Sequence, residues 1–259
     1  MDQQSLMHSK PYPSPIISID TRRNGRWRYS PDFSNLNPPT TRIILTGRRR
    51  YDYRIAENQT GINHIARVTV WHHVYDYSTE TGSCTMQLVR TSDHQATVPH
   101  AGGCIQYAEY HKTPYRISQQ SSSSEMQDNT NPLSFSYDKD EVQEFTGKTG
   151  IQIAESVRML YSKDYEFSKQ GLEKLEEQDM CIDAVLPLTA AEDELSVESV
   201  YKNFMGNLMN QRNELTPIPI ALDAYGNIFF ADGMGSLYFY DHEMDYCFPA
   251  GVDLKDIIE

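Results

Sequence analysis

The fold of the first half of this chain is decided by residues 67–103, which read RVTVWHHVYDYSTETGSCTMQLVRTSDHQATVPHAGG. Residues Ile65–Tyr77 alternate in polarity and are rich in Val, Thr, Trp and Tyr, which is typical of a β-strand. A polar turn separates them from a second strand over Cys84–Val89. Ser92 is suited to cap a following helix that carries Asp93–Thr97. The stretch therefore predicts the order strand, turn, strand, helix.

The residues upstream of this stretch predict one helix and an irregular arm. Residues Tyr51–Gly61 contain good helix formers and end in glycine, so we expect a short helix with Gly61 near its C-cap. The first 40 residues contain six prolines, which exclude sustained helix. We expect this arm to wrap the core as short strands or irregular chain.

Four histidines in the stretch carry the chemistry: His72, His73, His94 and His100. Hydrolysis of a phosphodiester at neutral pH needs a group that deprotonates water, and a neutral imidazole suits that task. It also needs a group that absorbs charge on the phosphate and the leaving oxygen, which a divalent metal provides. Adjacent strand residues point to opposite faces, so His72 and His73 are expected to have different roles. One would bind the metal and the other would act as the base.

Residues 67–103 resemble the WHH branch of the HNH/endonuclease VII superfamily, whose members are mostly nuclease domains of bacterial polymorphic toxins. The shared pattern is an aromatic-His-His strand, then MQLV, then a histidine, then His-x-Gly-Gly, which ends here at Gly102 and Gly103. The upstream segment GRRRYDYRIAENQTG resembles the helix of that family that carries an Asp and an Ala, here Asp52 and Ala56.

This resemblance implies a small ββα-metal nuclease domain, the His-Me finger. It implies that His73 is the general base and that His72, His94 and His100 hold one divalent metal ion. Mg, Mn, Zn and Ni all suit imidazole-rich sites to some degree, so the resemblance leaves the metal open. The implied substrate is nucleic acid. DNA is favoured over RNA, although the site would recognise phosphate rather than base.

Other residues near the motif have both an ordinary and a functional interpretation. Trp71 is expected to pack in the core under the hairpin. Three consecutive arginines would ordinarily form a solvated face, but in a nuclease such clusters contact phosphates: Arg48, Arg49 and Arg50. His64 and His111 lack a motif context and are expected to be ordinary surface or packing residues.

The charge distribution divides the chain of 259 residues into two parts. Residues 1–115 carry 13 Lys and Arg against 9 Asp and Glu, a balance of +4, whereas residues 116–259 carry 10 against 27, a balance of −17. The Ser-rich segment 117–132 has the composition of a flexible linker. We therefore predict a nuclease domain over 1–116, a linker over 117–132 and a second domain over 133–259.

The second domain is expected to be α+β, with two helices broken at Gly147–Gly150, a third over Ser196–Asn210, and two or three strands near the end. Residues from about Tyr137 to Asp245 resemble the SUKH superfamily, which is known for immunity proteins that bind toxin nucleases and for adaptor proteins. The resemblance implies a binding domain for an intramolecular or intermolecular protein partner. Asp241, His242 and Glu243 are expected to lie on a strand and to diverge, so we predict no catalytic constellation here.

The sequence thus predicts an α+β protein that joins a metal-dependent, toxin-type endonuclease to an immunity-like binding domain. The alternatives are a non-catalytic interaction protein with a decayed nuclease site, and a fused toxin and immunity pair held inactive. The four widely spaced cysteines include no CxxC pair, which argues against a structural zinc site and a disulfide scaffold. We find no secretory signal and no apolar run near the ~20 residues of a bilayer span, so a cytoplasmic or intracellular protein without a membrane partner is expected.

Overall fold

The computed structural model of the protein describes residues 16–17, 21–23, 26–28, 30–98, 100–116, 132, 135–162, 165–190, 195–208, 217–243 and 246–259. These residues form two compact units. Unit 1 comprises Met1–Gln119 together with His242–Tyr246, and unit 2 comprises Gln120–Asp241 with Cys247–Glu259. The predicted linker over 117–132 lies outside the described residues except for its last residue.

Unit 1 contains a small antiparallel sheet with one long helix and two shorter ones. Its strands are β1 (Ile16–Ile17), β2 (Thr21–Arg23), β3 (Arg26–Arg28), β4 (Pro31–Asp32), β5 (Thr40–Ile44), β6 (Thr69–His73) and β7 (Ser83–Arg90). Its helices are α1 (Arg49–Thr60), α2 (Thr91–Gln95) and α3 (Gly103–His111). The main sheet has the order β5-β7-β6, and β1 pairs with β4 and β2 with β3 in two small ribbons.

The predicted order of strand, turn, strand and helix is confirmed as β6, β7 and α2. Strand β6 begins only at Thr69, because Ile65 accepts two backbone hydrogen bonds in a turn and Arg67 has a left-handed φ of 62°. The predicted cap at Ser92 is wrong. The N-cap residue of α2 is Arg90, which makes no side-chain capping bond, and Ser92 lies within the helix.

Helix α1 confirms the predicted helix and begins two residues earlier than expected. Gly61 ends it in the left-handed region at φ 69°, where its N–H donates to the carbonyl of Glu57. The buried face of α1 includes Tyr53 and Ala56, and Tyr53 donates from its hydroxyl to the carbonyl of Trp71 at 2.6 Å. This bond fixes the helix against β6, the strand that carries the histidine pair.

Unit 2 is an α+β arrangement with a five-stranded sheet. Its helices are α4 (Lys139–Thr149), α5 (Glu155–Arg158), α6 (Lys169–Glu177), α7 (Val197–Leu208) and α8 (Leu254–Ile257). Its strands are β8 (Ala184–Val185), β9 (Ile218–Leu222), β10 (Ile228–Ala231), β11 (Ser236–Asp241) and β12 (Tyr246–Asp253). The sheet order is β12-β11-β10-β9-β8, and the pairs β8·β9, β9·β10 and β10·β11 are antiparallel.

The predicted break between two helices at Gly147–Gly150 is confirmed and falls at Gly150, where α4 ends in the left-handed region at φ 75°; Gly147 lies within the helix. One expectation for this part of the chain needs correction. Strand β11 ends at Asp241, so His242 and Glu243 lie in a turn rather than on a strand. Among the described residues, no helix combines the length and apolarity needed to cross a bilayer.

Candidate active site and metal centre

Strand β6 separates its two histidines, as the alternation of a strand requires. His72 stands opposite Gln87 of β7 and His73 stands opposite Met86, so their side chains leave the sheet on different faces. Both side chains are buried. The pair therefore contributes to two different clusters of polar residues.

The first cluster, called here the histidine triplet, consists of His72, His94 and His100. Each offers one nitrogen that lies within 4.8 Å of the corresponding nitrogen of the other two. The ring centroids are 5.3 Å apart for His72 and His94, 5.0 Å for His72 and His100, and 4.6 Å for His94 and His100. Helix α2 supplies His94 directly after β7, while His100 follows that helix. The triplet therefore unites residues that the sequence analysis assigned to the metal.

The hydrogen bonds of the triplet leave nitrogen lone pairs available for a metal. The Nε2 of His72 lies 3.1 Å from the carbonyl oxygen of Pro31, so it is the nitrogen that carries the proton. Thr97 donates its hydroxyl proton to the carbonyl of His94 at 2.7 Å, so its oxygen accepts from His100 Nδ1 at 3.0 Å. His72 Nδ1, His94 Nδ1 and His100 Nε2 are buried and have no hydrogen-bond partner among the described residues.

Burial also keeps these imidazoles neutral. It lowers the pKa of His72 to about 4, with Glu243 opposing the shift and His73 adding to it. Burial lowers the pKa of His94 and of His100 well below the usual value, and neighbouring histidines lower both further. A metal ligand must be deprotonated, so three neutral, converging imidazoles fit a divalent metal ion of the kind that binds nitrogen. Their outer hydrogen bonds orient the rings as they do in known metal sites.

The second cluster lies around His73 and depends on Asp52 of α1. The fully buried carboxylate of Asp52 accepts from Thr46 through both the backbone N–H, at 3.0 Å, and the hydroxyl, at 2.9 Å. Its other oxygen lies 3.3 Å from Nε2 of His73 and accepts a hydrogen bond from the Tyr115 hydroxyl. If Nε2 of His73 carries the proton toward Asp52, the lone pair of this imidazole is on Nδ1.

The two motif glycines allow the chain before α3 to approach β6. A Cβ atom on Gly102 would lie 2.5 Å from the carbonyl oxygen of His73, which real side chains do not tolerate. A Cβ atom on Gly103 would collide with the sulfur of Cys84 on β7. The two glycines are therefore needed for close backbone packing against the strands that carry the histidines.

The site also contains two residues that the sequence analysis dismissed, His242 and Glu243, both of which belong to unit 1. The carboxylate of Glu243 forms a buried ion pair with Arg49 at 3.0 Å and lies 3.9 Å from Nδ1 of His73. The ring of His242 lies 4.7 Å from that of His94 and 5.0 Å from that of His100. A weak signal in the sequence was that His242 is the one histidine of the acidic half.

A second metal-ligand set is formed by His73, Cys104 and Glu243, whose ligand atoms also lie within 4.8 Å of one another. This set suits a cation less well than the histidine triplet does. Burial would raise the pKa of Glu243, but Arg49 foremost and also His73 lower it to about 2, so its charge is already balanced by a guanidinium. Burial raises the pKa of the Cys104 thiol well above its usual value, and a protonated thiol is a poor ligand.

The remaining residues of interest are placed as follows. Trp71 is buried in the core, in agreement with its expected packing role, and His64 pairs with Glu57 at 2.6 Å. The Nε2 of His111 lies 2.9 Å from the hydroxyl of Tyr77, on the exposed surface. Arg48 and Arg50 are partly exposed, but the expectation of a solvated arginine face is wrong for Arg49, which is 1% exposed.

The arrangement defines a class of site: a ββα unit with a set of converging imidazoles on one side of a strand and a carboxylate-paired histidine on the other. Residues 65–110 match the model of the WHH family, described as a nuclease of the HNH/ENDO VII superfamily with conserved WHH. This segment is therefore similar to nucleases of the HNH/endonuclease VII type, a class that hydrolyses phosphodiester bonds with a divalent metal. Searches of the curated proteins and of the solved structures found no match.

Proposed function

We propose that unit 1 is a metal-dependent endonuclease in which the two histidines of β6 divide the chemistry. The histidine triplet would hold one divalent ion, and His73 would be the general base. The observation that carries the proposal is the pattern of lone pairs. The three clustered imidazoles on one side of β6 each keep a buried nitrogen without a hydrogen-bond partner among the described residues, while His73 is paired with Asp52 on the other side.

The proposed reaction is hydrolysis of a phosphodiester bond. His73 removes a proton from a water molecule, the water oxygen bonds to phosphorus, and the bond from phosphorus to the leaving oxygen breaks. Asp52 keeps the proton of the imidazole on Nε2 and stabilises the imidazolium that forms. When bound, the metal ion supplies positive charge for the phosphate and the leaving oxygen.

Nucleic acid is the substrate class that the nuclease family supports, and we propose DNA as the substrate. Arg48 and Arg50 lie at the start of α1 and are partly exposed, which supports a role in contacting backbone phosphates. The resemblance of the motif to toxin nucleases supports a toxin role. Bacteria that express the wild-type chain should then form fewer colonies than bacteria that express the His73→Ala variant.

Cleavage of a supercoiled plasmid by the whole chain tests the proposal. Mg²⁺, Mn²⁺, Zn²⁺ and Ni²⁺ are added separately to metal-free protein, and EDTA is added to a parallel set. We expect cleavage with at least one metal, none with EDTA, and a loss of about 10²–10⁴-fold in rate for His73→Ala. His111→Ala is the matched control, because it removes an imidazole from the same unit outside the site. Absence of cleavage with every metal would favour the non-catalytic alternative.

For unit 2 we propose a SUKH-like binding domain. The resemblance of the segments between about Tyr137 and Asp245 supports it, as does the combination of helices α4 to α7 with a five-stranded sheet. The balance of −17 over residues 116–259 suits a protein partner with a basic face. Complex formation that weakens as salt rises would support this role. A unit that bound nucleic acid and no protein would contradict it.

A further inference from the structure

The histidine site is closed. His72, His73 and His94 are each 1% exposed and His100 is fully buried. A phosphodiester cannot reach a triplet-bound metal or His73 while all four imidazoles are covered. His242 and Glu243, themselves 2% exposed, contribute to this covering, His242 beside the triplet and Glu243 beside His73.

The surroundings of Glu243 are those of a bound anion. The guanidinium of Arg49 donates to one carboxylate oxygen at 3.0 Å, and Nδ1 of His73 lies 3.9 Å from the other. The thiol of Cys104 also donates to this carboxylate. An arginine fork binds carboxylates and phosphates with the same geometry. Arg49 and His73, two of the groups that contact Glu243, thus belong to the arginine cluster and to the proposed catalytic machinery.

The charge of the site and the positions of its protons both favour replacement of the Glu243 carboxylate by a phosphate. A carboxylate and a phosphodiester each carry one negative charge and offer two oxygens, so replacement of one by the other leaves the charge of the site unchanged. Nδ1 of His73, which carries the lone pair when Nε2 faces Asp52, is the nitrogen that must face water. Glu243 lies on that side of the ring, so it occupies the place where the base would meet its substrate.

We propose that Arg49 and His73 form a phosphate subsite for the nucleic-acid backbone and that Glu243 occupies this subsite as an internal substitute for the phosphate. The inference rests on the proposed function, since it gives Arg49 the task of binding the phosphate that is cleaved. The His242–Glu243 pair must then withdraw before nucleic acid enters, so the chain as folded is self-inhibited.

Binding of a fluorescently labelled short DNA duplex to the full chain in EDTA tests the subsite without relying on cleavage. Glu243→Gln should bind at least about tenfold more tightly than wild type, because the competing charge is gone and more of the chain is competent to bind. This gain in DNA affinity should disappear in the double variant Glu243→Gln/Arg49→Gln. The matched control is Glu57→Gln, which removes one negative charge from the same unit at the ion pair with His64.

Equal gains in DNA affinity for Glu243→Gln and Glu57→Gln would overturn the inference, because the change in net charge would then explain them. The absence of a gain in both variants would also overturn it. Loss of Glu243 could also unfold unit 1, so a second measurement uses the wild-type chain. Backbone hydrogen exchange at His242 and Glu243 should rise when excess DNA duplex is added in EDTA. Unchanged exchange in a chain that binds the duplex would also overturn the inference.

Cleavage assays separate this inference from the proposed function. If Glu243→Gln binds DNA more tightly but no variant cleaves it with any metal, the phosphate subsite is retained and the nuclease is rejected. A Glu243→Gln variant that binds DNA as wild type does, but cleaves it more slowly, would show that Glu243 assists the reaction. That result would retain the nuclease and reject self-inhibition.

Discussion

Substitution of Asp52 by Asn tests how the proposed base is held. One oxygen of the Asp52 carboxylate accepts two hydrogen bonds from Thr46, and the asparagine oxygen can keep both. The other oxygen, which faces His73 and Tyr115, becomes an NH₂ group that only donates. His73 must then accept at Nε2 and carry its proton on Nδ1, the nitrogen that is proposed to take the proton from water.

The expected magnitudes follow from these contacts. In serine proteases, the same change behind a catalytic histidine lowers kcat by about 10⁴-fold. The contact between Asp52 and His73 is long at 3.3 Å, and we expect a loss of about 10²–10⁴-fold in cleavage rate. A hydrogen bond to a charged group contributes about 1.5–3 kcal/mol, so loss of the charged acceptor for Tyr115 should lower the free energy of unfolding by about that amount.

The assay compares cleavage rates per folded molecule, with the folded fraction taken from urea unfolding followed by circular dichroism. Both the wild-type chain and the Glu243→Gln chain serve as backgrounds, so a low basal rate does not hide the effect. Asp76→Asn is the control, because Asp76 accepts from Arg42 at 2.7 Å and from Thr85 at 2.8 and 2.6 Å away from the histidines. The Asp76→Asn variant should lose stability and keep the wild-type cleavage rate. Full activity of folded Asp52→Asn would refute the role of His73 as a base oriented by Asp52.

Three further outcomes follow from the same site. His94→Ala should abolish binding of a divalent metal in calorimetric titration, whereas His73→Ala should retain it; equal losses would contradict the division of roles between the two clusters. Anomalous scattering from crystals of active protein should place the ion beside His94, and an ion elsewhere would remove the triplet from the mechanism. The metal-free chain should lose stability as pH falls from 6.5 to 4, because the unfolded chain gains a proton on His72 that the folded chain, with a pKa of about 4, does not bind. The shift corresponds to about 3 kcal/mol for His72 alone, and a free energy of unfolding that stays constant over this range would contradict it.

The elements that the sequence predicts well are those whose signals are local. Strand β7 and helix α1 are fixed by side-chain alternation and by a C-terminal glycine within a dozen residues. Strand β6 is shorter than its pattern because Arg67 takes a turn conformation that alternation of polarity does not encode. Strand β5 and helix α3 were missed. Strand β5 has no clear alternation of apolar and polar residues, and α3 begins directly at Gly103, a residue that helices disfavour.

Single residues of the candidate site were likewise predictable only where the sequence signal is local. The motif and its resemblance identified the four histidines of the two clusters and the helix residue Asp52. Tyr115 was missed because its hydroxyl reaches Asp52 across 63 positions of sequence, with no motif around it. The adjacent positions of His72 and His73 were informative, since strand geometry alone requires them to face different clusters.

Arg49 and Glu243 show why the net charges of the two halves of a chain do not predict which charged residues form pairs. The balances of +4 and −17 predict attraction between surfaces, yet Arg49 and Glu243 form a buried pair of opposite charges whose members are 194 positions apart in the sequence. A buried guanidinium is stable only with a buried anion beside it, so the burial of Arg49 requires a partner such as Glu243. In a nuclease, the natural alternative partner is a phosphate. The same physical requirement that holds Glu243 in place therefore makes Arg49 ready to receive the substrate when Glu243 leaves.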